Sequence, residues 1–154
     1  MKALSENRRA RFDYEISETI KAGIELRGFE VKSAKLGRMQ LAGSYAIIRG
    51  GSPRRSLRRS AGEAWLLNSQ IPPYQPKNMP PDYDPGRSRR LLLHSDEIAS
   101  LQGKLKEKLT LVPLRVLLEK NLIKIELGLG KSRKKSDKRE LLKKRAAERE
   151  MQAI

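Results

Sequence analysis

Five groups of cationic side chains recur along the chain: Arg8, Arg9 and Arg11; Lys32, Lys35 and Arg38; Arg54, Arg55, Arg58 and Arg59; Arg87, Arg89 and Arg90; and the segment 131–154. Arginine dominates the loop groups, and its planar guanidinium fork suits bidentate grip on phosphate oxygens. Aromatic residues stand beside two of the groups. Phe12 and Tyr14 follow the first and Tyr83 precedes the fourth, an arrangement that suits stacking on unpaired bases. A single basic run is an ordinary solvated face, but five on one small domain are harder to dismiss. With 34 Lys and Arg against 18 Asp and Glu, the net charge is +16. That charge repels itself in a compact chain and favours a polyanionic partner, nucleic acid first.

The groups that catalysis needs are sparse. The sequence holds no GxxxxGK[ST], HExxH or GxSxG motif, so the phosphate cradle, zinc helix and nucleophile elbow are missing. His94 is the only histidine and there is no cysteine, which argues against a zinc site and a disulfide framework. A cysteine-free chain fits a reducing cytoplasm. Asp82 and Asp84 lie in a proline-rich stretch beside Arg87, where a turn or ion pair is their expected role. Glu30 reads as a paired structural carboxylate. No run approaches the roughly 18 apolar residues of a membrane span, and MKALSENRRA lacks a signal-peptide core. The expectation is a cytoplasmic, monomeric nucleic-acid binder, not an enzyme, with no cofactor, metal or membrane partner.

The elements that must carry these groups are short. Residues 1–11 read as a loose basic arm. Phe12, Tyr14 and Ile16 alternate with acidic residues, predicting a strand. Ser17 can cap a helix from Glu18 with Ile20 and Ile24 inward, ending near Gly23. A second strand is expected over 29–33, a turn over 35–38 and a third strand over 41–48. Residues 50–62, GGSPRRSLRRSAG, read as a flexible basic loop joining that strand to another at 64–67. Residues 70–86 hold six of the eight prolines and predict an irregular crossing. A buried strand at 91–93 leads to a helix over 95–108, capped by Ser95, with Ile98, Leu101 and Leu105 on one face. Strands follow at 109–118, where Pro113 suggests an edge or a bulge, and at 123–127, ended by Gly128 and Gly130. Long helices do not alternate with strands, which excludes a doubly wound sheet. The fold class is therefore mainly β: an OB-like antiparallel barrel of six or more strands, with two or three peripheral helices and a basic C-terminal tail.

That tail, 131–154, has ten Lys and Arg, four Asp and Glu and no aromatic residue. Its residues favour a helix from about Asp137 to Met151, but one without enough apolar surface to persist alone. It is expected to be disordered alone and to order on a polyanion. Domain organisation is thus a barrel at 1–130, with the basic insertion at 51–62, and the tail.

The sequence resembles the SmpB family, the bacterial proteins that partner transfer-messenger RNA (tmRNA) in ribosome rescue. The resemblance is carried by Asn7-Arg8-Arg9-Ala10, Tyr14, Ala22-Gly23-Ile24, Gly28, Glu30-Val31-Lys32-Ser33, Ser44-Tyr45 and Asp84-Pro85. It continues through Arg87, Arg89, Arg90-Leu91-Leu92-Leu93-His94, Val112-Pro113-Leu114 and Lys134-Lys135 to Asp137-Lys138-Arg139. It implies an RNA-binding barrel that grips the tRNA-like domain of tmRNA and delivers it to the vacant A site of stalled ribosomes. The tail would enter the empty mRNA channel beside the decoding centre and fold there as a helix on rRNA. Elongation factor Tu would join through alanyl-tmRNA. Leu92 and Lys124 match positions linked to tmRNA, and the RNA contacts expected around them are Arg8, Arg9, Lys21, Lys32, Arg87, Arg89 and Arg90. Ribosome contacts are expected from Lys131, Arg133, Lys134, Lys135, Asp137, Lys138, Arg139, Lys143 and Lys144. The chain departs from the family pattern at Lys21, usually Glu, at Gly43, usually acidic, at Ser132, usually Gly, and at Ser136, often Tyr or His. The rival reading is a ribosomal structural protein held permanently by rRNA.

Overall fold

A computed structural model describes residues 1–50 and 62–153 of the 154. Seven strands form it: β1 (Lys2–Glu6), β2 (Tyr14–Ile24), β3 (Tyr45–Arg49), β4 (Glu63–Leu67), β5 (Arg89–Leu92), β6 (Thr110–Glu119) and β7 (Leu122–Ser132). Their order is β1-β6-β3-β4-β5-β2-β7, and β6 also pairs with β7. Every pairing is antiparallel. The ring β6-β3-β4-β5-β2-β7 therefore closes on itself, with β1 added outside β6, as expected for a small antiparallel barrel. Closure is narrowest between β3 and β6, which share the single pair Ala46 and Leu111. The helices α1 (Arg8–Asp13), α2 (Gly28–Lys35), α3 (Ser95–Leu105) and α4 (Lys135–Ala153) lie around it. None of the described helices is long and apolar enough to cross a membrane.

The barrel interior holds Ala22, Ile24, Leu66, Leu91, Leu111, Ile125 and Leu127. A second, smaller cluster sits outside the ring, where Ala10 of α1 covers Val112 and Leu114 with Tyr14 and Ile16 beside them. Glycines make that second layer possible. A Cβ on Gly128 would lie 2.8 Å from Leu114 Cδ1, and one on Gly130 would lie 2.6 Å from the Glu15 carbonyl oxygen. These two residues keep β7 running to Ser132 where the sequence suggested an end, because they permit close approach.

Several expected elements exchange type. The segment 17–24 is strand, not helix: Ile20, Ala22 and Ile24 face inward at every second residue, and a spacing of four satisfies period two as well as a helical turn. The segment 29–33 is helix, not strand, because Glu30, Ser33 and Ala34 are its buried residues, a spacing of three and four. The N-terminal arm is not loose. Leu4 packs against the barrel core, and the buried Asn7 fixes the junction to α1. Its Oδ1 accepts from the Ala10 amide at 3.2 Å, while its Nδ2 donates to the carbonyls of Leu41 and Pro113. Phe12 belongs to α1, and β3 begins only at Tyr45. The helix at 95 starts as expected but ends at Leu105, and His94 occupies the N-cap position. Pro113 sits at a register shift on β6, the bulge its type suggested. The basic loop with Arg54, Arg55, Arg58 and Arg59 lies outside the described residues.

Candidate nucleic-acid interface

Three strands bring four of the nine anticipated RNA contacts together. Gly23 on β2 pairs with Leu92 on β5 and with Lys124 on β7, so these three positions form one row on one face of the sheet. Two residues earlier, Lys21 lies on the same face. Arg90 and Leu92 alternate outward on β5 while Arg89 and Leu91 point inward. Lys21, Arg90, Leu92 and Lys124 thereby line a single cleft of about 330 Å³, together with His94, Glu63 and Glu97. Gly23 has a physical reason to be glycine: a Cβ there would sit 3.2 Å from Leu92 Cβ.

The cleft combines three cations with an exposed apolar ledge. Leu92 is 50% exposed and supplies an apolar surface between the cations, able to contact a base or ribose. Lys21 donates to Glu119 Oε2 at 3.2 Å, and Arg90 lies 3.8 Å from Glu63 Oε1. The hydrogen bond from Lys21, then its charge, holds the Glu119 carboxyl below the usual carboxylate range; Lys124 and the N-terminal amine act in the same direction. Glu97 is committed to the fold, its Oε1 accepting from the His94 amide at the start of α3.

Behind β5 lies a buried ion network that fixes its position. Glu30 and Arg89 are both fully buried. Arg89 Nε and one terminal nitrogen donate to Glu30 Oε2 at 2.9 and 2.6 Å. Its remaining donors reach Ser69, the Arg87 carbonyl and the Pro85 carbonyl. Arg87 pairs with both oxygens of the same carboxylate, and the Tyr83 hydroxyl lies 3.1 Å from it. Burial pushes the Glu30 carboxyl up, but bonds from Arg87, the Arg27 amide and Arg89 outweigh it and hold it below its ordinary value. Tyr83 moves the other way, raised by burial and by the Glu30 charge.

Arg89, expected to touch RNA, is thus interior: it anchors the strand that presents Arg90 and Leu92. Arg87 is mostly spent on the same carboxylate. Lys32 projects from α2 near the Tyr74 ring, at 5.7 Å, and is not among the cleft-lining residues. Arg8 and Arg9 belong to α1; Arg9 lines a separate cavity of about 460 Å³ with Tyr14 and Tyr45. Asp84 has the turn role expected of it, its Oδ1 accepting from the Gly86 amide at 2.9 Å. His94 is among the cleft-lining residues. Glu63 and Glu119 were not singled out in the sequence, where nothing distinguishes them from other solvated carboxylates; only strand pairing places them beside cations.

The tail residues form another constellation. Lys131 and Ser132 complete β7 opposite Glu15 and Tyr14, and the Arg133 amide donates to the Asp13 carbonyl at 2.9 Å. From Lys135 the chain is helical, with Asp137 accepting from the Lys134 amide. Lys138 reaches Asp13 at 3.1 Å, and Lys138 and Arg145 each lie 5.8 Å from the Phe12 ring centroid. Lys134, Lys135, Arg139, Lys143 and Lys144 are exposed. Among the described residues no group of His, Cys, Asp or Glu is placed to hold a metal ion.

A basic antiparallel barrel with Lys21, Arg90 and Lys124 lining one cleft has the makeup of an RNA-binding protein. Residues 4–154 match the family model described as SmpB protein, and the chain belongs to that family. It is 47% identical over 152 residues to the SsrA-binding protein of Gloeothece citriformis, covering 98% of this chain and 91% of that one. It is 49% identical over 150 residues to the SsrA-binding protein of Chlorobaculum tepidum, covering 96% and 88%. A solved chain described as "tmRNA-SmpB: a journey to the center of the bacterial ribosome" is 43% identical, with a TM-score of 0.64 over 84% of each chain.

Proposed function

We propose that this chain binds the tRNA-like domain of tmRNA through the cleft between β2, β5 and β7 and delivers it to stalled ribosomes in trans-translation. The carrying observation is the convergence of Lys21, Arg90, Leu92 and Lys124 on one concave face, in a chain whose relatives are SsrA-binding proteins. Lys21, Arg90 and Lys124 contact phosphate, Leu92 packs on a base or ribose, and Arg89 positions their strand. Arg8, Arg9 and Lys32 extend the basic surface beyond the cleft. The action is recognition, not catalysis.

The tail is the proposed ribosome-reading element. Lys131, Arg133, Lys134, Lys135, Asp137, Lys138, Arg139, Lys143 and Lys144 would meet rRNA in the decoding centre and the empty mRNA channel. Most of α4 faces solvent, and a helix so poor in apolar contacts is marginal until a partner supports it. Elongation factor Tu joins through alanyl-tmRNA, and the chain works as a cytoplasmic monomer.

Two variants in one binding assay test this division. Lys124→Glu replaces a phosphate contact by repulsion and should weaken binding to the tRNA-like domain at least tenfold. Removal of 131–154 should leave that affinity largely intact and abolish tagging on stalled ribosomes. Unchanged affinity in Lys124→Glu would remove the cleft from the interface. A loss of orders of magnitude on removing the tail would place the tail in the tmRNA contact instead.

A further inference from the structure

Two of the cleft's cations have a carboxylate beside them, where a simple phosphate trap would have none. Glu119 ends β6 beside Lys21, within range of the Lys124 charge. Glu63 opens β4 beside Arg90. Neither is committed to capping a helix, as Glu97 is, and neither is buried between two arginines, as Glu126 is between Arg11 and Arg115. Glu63 is itself held in place: Trp65 Nε1 donates to its Oε2 at 3.3 Å, leaving Oε1 to face Arg90. Glu63 thus lines the cleft beside Arg90, while Glu119 holds Lys21 from outside the cleft lining.

Resting on the RNA-binding reading above, we propose that Glu63 and Glu119 are specificity-determining positioning residues. Each keeps one cation at a fixed place and penalises phosphates that arrive elsewhere. A flexible polyanion gains affinity by letting loose lysines and arginines follow its phosphates. Here a phosphate that draws Lys21 or Arg90 out of position must separate an ion pair and approach a carboxylate well inside the screening length, about 8 Å at physiological salt. A folded RNA whose phosphates coincide with the held positions meets cations already ordered and pays less to bind. The carboxylates thus act against unsuitable partners as much as for the suitable one.

The test uses the full chain with two probes at near-physiological salt: the tRNA-like domain of tmRNA and an unstructured RNA of equal length. Glu63→Gln and Glu119→Gln each bind the unstructured RNA about two- to five-fold tighter, the range expected for releasing an exposed ion pair. The tRNA-like domain binds no tighter, because lost positioning offsets lost repulsion. The double variant lowers the ratio of the two affinities about tenfold if the separated sites act independently. Glu63→Asp and Glu119→Asp, which keep the charge, retain most of the discrimination. An equal gain for both RNAs would reduce the carboxylates to net charge and overturn the inference, as would no change for either. A wild-type chain that binds both RNAs alike overturns the underlying reading and this inference together. A preference that survives both Gln substitutions overturns the inference alone.

Discussion

Replacing Glu30 by Gln preserves shape and removes one charge from the interior. Arg89 is fully buried, and its charge would remain without the carboxylate that receives its Nε and terminal nitrogen at 2.9 and 2.6 Å. Removing one partner of a buried ion pair costs about 3–5 kcal/mol. Two features place this case at the lower end. The Gln carbonyl still accepts one bond, and Arg87, 26% exposed at its side chain, can turn to water. The expected loss is about 3 kcal/mol, or about 10 °C in Tm for a chain of this size. Urea unfolding followed by circular dichroism measures it. The effect reaches function through β5, because Arg89 is the inward neighbour of Arg90 and Leu92. At temperatures where the variant stays folded, RNA affinity should still fall. A loss below about 1 kcal/mol would show that Arg89 finds other partners or water, and the anchoring role of Glu30 would be refuted.

The depressed Glu30 carboxyl sets a pH dependence. A lowered native pKa contributes stability that is full above the ordinary Glu value, about 4.3, and is lost as pH falls from there through the native value. Acid unfolding of the wild type should therefore be steeper below about pH 4 than that of Glu30→Gln, the two curves running parallel near neutrality. Two glycine substitutions should have opposite signs in thermal unfolding. Gly130→Ala forces a Cβ to 2.6 Å from the Glu15 carbonyl oxygen and should cost about 1–3 kcal/mol. Gly103→Ala, in α3 with nothing within 4 Å of its Cβ, should gain about 0.5–1 kcal/mol from helix propensity. Phe12→Ala removes the ring that Lys138 and Arg145 approach. At about 0.5–1 kcal/mol per exposed cation–π contact, amide exchange in α4 should accelerate several-fold; unchanged exchange would mean that α1 does not support the helix.

The architecture was legible where one period explained the apolar residues. Ile98, Leu101 and Leu105 admit only a helix, and α3 is there; Ile123, Ile125 and Leu127 admit only a strand, and β7 is there. Ile20 and Ile24 satisfy both periods, and the sequence reading chose the helix. Residues 29–33 misled because their helical stripe is Glu30, Ser33 and Ala34. A polar pair carries it, and Glu30 becomes an inward residue only once Arg87 and Arg89, distant in sequence, neutralise it. The extent of β7 was hidden in Gly128 and Gly130, which read as breakers until β2 and β6 packed on them. For the cleft, residue type placed Arg90 in a basic group, and the family resemblance pointed to Leu92, Lys124 and the position of Lys21, but neither excluded Arg89. Arg87, Arg89 and Arg90 look alike in the sequence until strand alternation turns Arg89 inward. Glu63 and Glu119 carried no local signal at all.

The most direct measurement is the affinity of the full chain, at near-physiological salt, for the tRNA-like domain of tmRNA, with ordinary tRNA and an unstructured RNA of equal length as competitors. A recognition cleft of this build predicts nanomolar binding that neither competitor displaces at equal concentration. Equal, salt-sensitive binding to all three RNAs would contradict specific tmRNA recognition and favour a generic rRNA-binding role.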